Sequence, residues 1–211
     1  MSEQAEAKRH VLGSEPAERI FGKHSGFRNL RAYQLAELCY DFTCRFCERY
    51  IPLKDRHHDQ MVQAARSGFQ NIREGSELSA TTKKLELNLT NVARGSLGEL
   101  HADYKKYLQR KQLPLWETQD PKLFAEARNL RPDTLEQAAN WVNQSGCRQT
   151  AEERAANLGA VLSAQAHYLV EKLMARQAED FEKGGGFSER LYQARTAHRQ
   201  TGENRQKGQN K

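Results

Sequence analysis

The sequence predicts an all-α protein: an antiparallel four-helix bundle with a short helical insertion before its fourth long helix and a basic C-terminal suffix. Three observations point there. Ala, Leu, Glu, Gln, Arg and Lys dominate while Val, Ile and Pro are scarce, with only five prolines in 211 residues, a composition that favours helix over strand. Apolar residues recur three and four positions apart along four long stretches, the spacing that keeps them on one helix face. The connections between the first and second and between the second and third stretches are short, which suits antiparallel neighbours. At 37% hydrophobic and 28% charged residues, the chain has material for a modest core under a charged surface.

Residues 1–27 carry Gly13, Pro16, Gly22 and Gly26 and no sustained apolar period, so they read as a flexible leader. The first helix is expected over about 29–50. Leu35, Leu38, Phe42 and Phe46 form one stripe and Tyr33, Ala36, Tyr40, Cys47 and Tyr50 a second beside it. Pro52 ends it, since proline pushes the preceding residue out of the helical region. A second helix is expected over 56–75, with Met61, Ala65, Phe69 and Ile72 on its apolar face and Ala64, Gly68 and Asn71 alongside. The third, over 82–111, begins at Thr82 as a cap. Its apolar seam reads Leu85, Leu89, Val92, Ser96, Leu100, Tyr104 and Leu108.

Pro114, Pro121 and Pro132 interrupt the rhythm over 112–149. Asp120 followed by Pro121 predicts a short helix through Leu130, and another from Asp133 would bury Leu135, Ala138, Ala139 and Val142. This insertion is read as part of the bundle domain, 28–183, and not as a domain of its own. Thr150 followed by Glu153 is a capping-box pattern, so the fourth long helix is expected over 150–183, with Leu158, Leu162, Ala166, Leu169 and Leu173 inward. The glycines from Gly184 stop it, and 184–211 is read as a suffix with a disordered basic tail.

No apolar run approaches the roughly 20 residues that cross a bilayer, and the N-terminus lacks a basic, then apolar, targeting pattern; a cytoplasmic protein with no membrane partner is expected. Cys39, Cys44, Cys47 and Cys147 do not supply a second pair for a zinc site, and reduced, mostly buried thiols are expected. The net charge of +6 is concentrated: residues 23–111 hold 16 Lys and Arg against 10 Asp and Glu, and 184–211 hold 6 against 2. Such asymmetry suits a polyanionic partner.

Two separated motifs narrow the reading. One is Asp59-Gln-Met-Val-Gln-Ala-Ala-Arg-Ser-Gly-Phe-Gln-Asn-Ile-Arg-Glu-Gly75, with its Asn71-Ile72-x-Glu74-Gly75 ending; the other is Asn91-Val-Ala-Arg-Gly-Ser-Leu-Gly-Glu-Leu100. In this order they resemble the bacterial four-helix-bundle family that includes the 23S rRNA intervening-sequence proteins. The segment Gly185-Gly-Phe-Ser-Glu-Arg-Leu-Tyr192 resembles the mark of that family's suffix-domain subgroup. The insertion at 112–149 departs from the pattern. The resemblance implies a homo-oligomer, a ring-like pentamer in relatives. It also carries a distant likeness to accessory proteins of diversity-generating retroelements, which bind a reverse transcriptase and nucleic acid through a basic surface. On the residues alone, the second stripe of the first helix either faces another copy of the chain or lies under the insertion or the last helix.

The candidate nucleic-acid contacts are the cluster Lys105, Lys106, Arg110 and Lys111, with Tyr104 and Tyr107 interleaved, and, more weakly, Arg66, Arg73, Lys83, Lys84 and Arg94. The cations could neutralise phosphates while a tyrosine stacks on a base; equally, they could complement a helix C-terminus above core tyrosines. Arg190, Arg195 and Arg199 would form a tail arm for nucleic acid or a docking peptide for a protein, or simply solubilise. Asn71, Glu74, Gly75, Ser96 and Glu99 occupy the family-like motif positions. Glu74 and Glu99 would form a carboxylate pair only if they converged, and bundle metal sites add a Glu-x-x-His pattern that is absent; the polar set is read as structural. His57 and His58, adjacent at a helix start, are read as solvated. No nucleophile, phosphate loop, cofactor or metal set is expected, hence no enzyme. The expectation is an oligomeric accessory or scaffold protein that binds RNA or DNA, serving a reverse transcriptase or another nucleic-acid enzyme; the alternative is a protein-interaction module without nucleic-acid contact.

Overall fold

The computed structural model describes residues 26–79, 82–146 and 148–184, together with Tyr192 and Thr196. Residues 1–25 of the leader, most of the suffix, Cys147 and the tail arginines Arg190, Arg195 and Arg199 lie outside the described residues. What is described is all helical. A 3-10 turn, Phe27–Asn29, precedes α1 (Arg31–Tyr50); α2 is Arg56–Leu78 and α3 is Lys83–Arg110. Three short helices follow, α4 (Trp116–Gln119), α5 (Pro121–Leu130) and α6 (Leu135–Val142), and then α7 (Ala151–Gly184). The long helices form a bundle in which α1 meets α2, α2 meets α3, α3 meets α7 and α7 returns to α1.

Both stripes of α1 are covered within the chain. Leu35, Leu38, Phe42 and Phe46 are buried, and so are Tyr33, Ala36 and Cys47. Tyr33 and Tyr40 close on Phe69 of α2, with ring centroids 6.1 and 5.1 Å apart, while Phe46 is surrounded by Tyr50, Tyr104 and Tyr107 at 4.9–5.3 Å. The second stripe is thus split: Tyr33 and Tyr40 pack on α2, while Tyr50 packs on Phe46 beside Tyr107 of α3, with Tyr40 and Tyr50 half-buried. Phe27, expected in the leader, packs edge-on against Tyr33 at 4.9 Å.

The helix α2 starts on Asp55, whose carboxylate accepts the His57 amide at 3.0 Å. It runs three residues beyond the predicted end at Gly75. Glycine there serves packing: a β-carbon would stand 3.3 Å from the Glu86 carbonyl of α3. At the start of α3, Thr82 makes no side-chain cap, contrary to expectation. The predicted α3 seam also needs correcting in its first half. Leu85 and Val92 are 38% and 50% exposed, and the residues turned inward are Glu86, Thr90, Ala93 and Leu97, leading into Leu100, Tyr104 and Leu108. Burial of Glu86 is made tolerable by Lys83 Nζ at 2.8 Å and Gln177 Nε2 at 3.2 Å, both donating to its carboxylate, since a buried charge needs such partners.

The α3–α7 contact is the closest in the core. Tyr104, 1% exposed, lies flush on Gly159, where a β-carbon would come within 2.3 Å of the ring. Its hydroxyl is 3.0 Å from Thr43 Oγ1 of α1, which ties three helices together.

The insertion is fastened by polar bonds to α7. Asn157 accepts the Trp116 amide at 3.0 Å and donates to the Pro114 carbonyl at 3.0 Å. The Trp116 indole, itself buried, donates to Glu153 at 2.7 Å. Thr150 caps α7 by accepting the Glu153 amide at 3.1 Å, so half of the expected capping box forms and the Glu153 carboxylate serves Trp116 instead. Asp120 and Thr134 cap α5 and α6 through the amides of Leu123 and Gln137, which moves the start of α6 from Asp133 to Leu135. Trp141 packs edge-on against Trp116 at 6.1 Å and carries the Arg154 guanidinium 4.1 Å above its ring.

Candidate nucleic-acid interface

The cluster that ends α3 is brought against the loop joining α1 to α2 and against the start of α7. Arg110 pairs with Asp55 at 3.1 Å and Lys111 with Glu152 at 3.6 Å. Lys105 pairs with Glu117 of α4 at 2.8 Å, and this ammonium holds the Glu117 carboxyl below the usual range. Asp55 is likewise held low, first by the His57 amide and then by Arg110. Lys106 is exposed and makes no ion pair among the described residues. Tyr104 and Tyr107 are core residues, 1% and 3% exposed, so neither is free to stack on a base. Tyr107 donates to Glu152 at 2.5 Å, and burial raises its hydroxyl far above the ordinary value.

Of the weaker candidates, Arg73 pairs with Glu77 at 3.5 Å and Lys83 with Glu86 at 2.8 Å, while Arg94 donates to Asn91 at 3.0 Å. Arg66 and Lys84 are exposed without an ion pair among the described residues. They lie far from the α3 end and do not join its cluster. What does join it is Arg49, Lys54 and Arg56, which flank the α1–α2 loop and are all exposed. The sequence reading passed over these three because they straddle Pro52, on the end of α1, the loop and the start of α2; the contact of Arg110 with Asp55 brings that loop to the α3 end.

The motif residues take structural positions. Asn71 donates to the Ser67 carbonyl at 2.8 Å and to its hydroxyl at 3.0 Å, and Ser96 donates to the same hydroxyl from α3 at 3.0 Å. Glu74 and Glu99 are exposed. Gly75 backs on Glu86 and Leu89 whereas Gly68 backs on Leu97, so the two carboxylates sit at different levels of the bundle and do not pair. Among the described residues no group of three or more His, Cys, Asp or Glu could hold a metal ion. His57 and His58 are half-buried, with their Nε2 atoms shielded and unpartnered among the described residues, in contrast to the solvated rings expected. Cys39 and Cys47 are buried free thiols; desolvation pushes Cys47 up to about 12 and Cys39 further. No described helix is long and apolar enough to cross a membrane.

No known family model, curated protein or solved structure matches this chain.

Proposed function

We propose that this protein is a non-catalytic accessory or scaffold protein that grips the phosphate backbone of RNA or DNA with the cation-rich end of its bundle. The observation that carries this reading is that Arg49, Lys54, Arg56, Lys106, Arg110 and Lys111 fall at one end, where the carboxylates Glu48, Asp55, Asp59, Asp103 and Glu152 also lie but only Arg110 and Lys111 of the six cations are ion-paired among the described residues. Exposed cations at this density neutralise phosphates without reading sequence. The resemblance of the two motifs to intervening-sequence proteins supports the same reading. It extends it to a cytoplasmic homo-oligomer, a pentamer as in relatives, that serves a reverse transcriptase or another nucleic-acid enzyme. The bundle itself we take as an antiparallel four-helix bundle, since Gly68 opposes Leu97 while Gly75 opposes Glu86, and His101 meets Ala160 while Glu86 meets Gln177.

Charge reversal tests the reading. The double variant Lys54→Glu, Lys106→Glu is expected to lose at least tenfold in affinity for single-stranded RNA by gel shift at low salt. Unchanged retention would contradict the assignment of this end. A second reading, a protein-interaction module, is favoured by one observation: Leu85 and Val92 of α3 and Leu78 at the end of α2 are exposed. A Val92→Asp variant that lost a protein partner or self-association while keeping RNA retention would favour it.

A further inference from the structure

The insertion does not lie flat on α7. Between them runs a groove of about 670 Å³, within the ~300–1,000 Å³ typical of small-molecule sites. Its floor is the outer face of α7, where Ala160 and Ala164 leave room, and its apolar walls include Val161, Leu169 and Phe124. The wall is held in place from below: Gln165 of the floor donates to the Arg128 carbonyl at 2.9 Å.

The rim is cationic. Arg128 and Arg131 come from the end of α5 and Arg31 from α1, against the single lining carboxylate of Glu117, which already bonds to Lys105, while α3 contributes the His101 ring. Arg31 is held by Asp133 at 2.7 Å. Arg128 and Arg131 have no ion pair among the described residues, and the Arg128 guanidinium rests 5.8 Å over the Phe124 ring. A guanidinium lying over an aromatic ring keeps its N–H edge free for an anion.

Arg131 is the residue that ends α5, in the left-handed region with φ 41°, a helix stop that favours glycine or asparagine and that Gln112 shares after α3 at φ 54°. His101 donates from Nδ1 to the Ala160 carbonyl at 2.9 Å, because a carbonyl can only accept, which leaves Nε2 as the ring's free nitrogen. At the mouth, Tyr168 is 54% exposed, with the Lys172 ammonium 5.3 Å over its ring.

From this juxtaposition we infer that the groove is a binding site for a nucleotide 5′-phosphate, with the base in the trough of Phe124, Val161 and Leu169 and the phosphate on Arg128 and Arg131. Two unpaired arginines, three residues apart on the rim of an apolar trough, suit a phosphate joined to a flat ring better than an aliphatic acid, because arginine pairs with phosphate oxygens bidentately. The same chemistry is offered by a free mononucleotide and by the 5′-terminal nucleotide of a strand. The groove adjoins the α3 end through the Lys105–Glu117 pair, but none of Arg49, Lys54, Arg56, Lys106, Arg110 and Lys111 lines it, so its occupancy does not depend on the backbone grip proposed above.

Titration calorimetry of the full chain tests the site with three probes: adenosine 5′-monophosphate, a 5′-phosphorylated hexanucleotide, and the same hexanucleotide without its phosphate. Binding of the first supports a free nucleotide, and binding of the second but not the third supports a strand end. Arg131→Gly is expected to weaken binding by about tenfold or more, as loss of a charged hydrogen bond does. The same variant should melt at an equal or higher temperature, since glycine relieves the left-handed backbone. Ala164→Leu, which fills the floor, is expected to abolish binding with the fold intact by circular dichroism. Lys54→Glu with Lys106→Glu should leave the mononucleotide isotherm unchanged. No heat from either phosphorylated probe at millimolar concentration, equal binding of the unphosphorylated strand, or full binding by Arg131→Gly would overturn the assignment.

Discussion

The helix α7 is met on two faces, and the faces are treated differently. On the inner face Gly159 is filled by the Tyr104 ring, whose hydroxyl is in turn bonded to Thr43. On the outer face the small residues Ala160 and Ala164 are roofed by an insertion that is tied down through Asn157, Glu153 and Gln165, and the space over them stays open. Small residues thus serve close packing on one side and a groove on the other. What separates the two outcomes is the covering element: α3 brings a large aromatic down onto the glycine, whereas α4 and α5 rest on Val161 through Trp116 and Ala127 and leave the groove beside that contact unfilled.

The largest effect that tests this contrast is on the inner face. Gly159→Ala must displace a ring held at both edges, and overpacking of this kind should cost about 3 kcal/mol, read as a lower urea midpoint. A loss under about 0.5 kcal/mol would mean that Tyr104 can move aside. In the opposite direction, Gly95 of α3 has nothing within 4 Å of a built β-carbon, so Gly95→Ala should stabilise by about 0.5–1 kcal/mol through helix propensity alone. Thermal melting would show whether the gain is absent, as it would be if that face were already covered. The smallest effect lies under the insertion. Glu117 is held below its ordinary range by Lys105, so the unfolded chain binds its proton more readily. The stability this pair adds is present above the ordinary glutamate value and is lost as pH falls through and below it. Glu117→Gln should therefore flatten the fall in melting temperature between about pH 5 and pH 3, and an unaltered slope would show the pair to be inert.

Much of the fold could be read from local chemistry. Pro52, the Asp120-Pro121 step and Thr150 each mark a helix boundary by a constraint that acts within a few residues, and the structure places the boundaries within one or two residues of them. The first half of α3 defeated the same approach. Leu85, Leu89 and Val92 form a convincing stripe, yet the inward positions are Glu86 and Thr90, because the Glu86 carboxylate is held by Lys83 and by Gln177 of α7, 91 residues away, a partner that no local period reveals. The four-residue α4 has no period to detect and is held by Trp116 reaching Asn157 and Glu153, 41 and 37 residues away. The basic cluster on α3 was legible as composition. Its partial neutralisation was not, since Asp55, Glu117 and Glu152 arrive from three other elements. Arg131 was passed over for a simpler reason: beside Pro132 it reads as loop punctuation, and only its φ angle marks it out.

The central claim is that the bundle end holds nucleic acid by charge alone. It is tested most directly by the affinity of the full chain for an unstructured single-stranded RNA as a function of salt. About four unpaired cations, each releasing ~0.7 of a counterion, predict a straight line of slope about −3 in log affinity against log salt concentration. The line should flatten in Lys54→Glu, Lys106→Glu. A salt-independent affinity, or no binding at about 20 mM salt where the Debye length exceeds 20 Å, would contradict it.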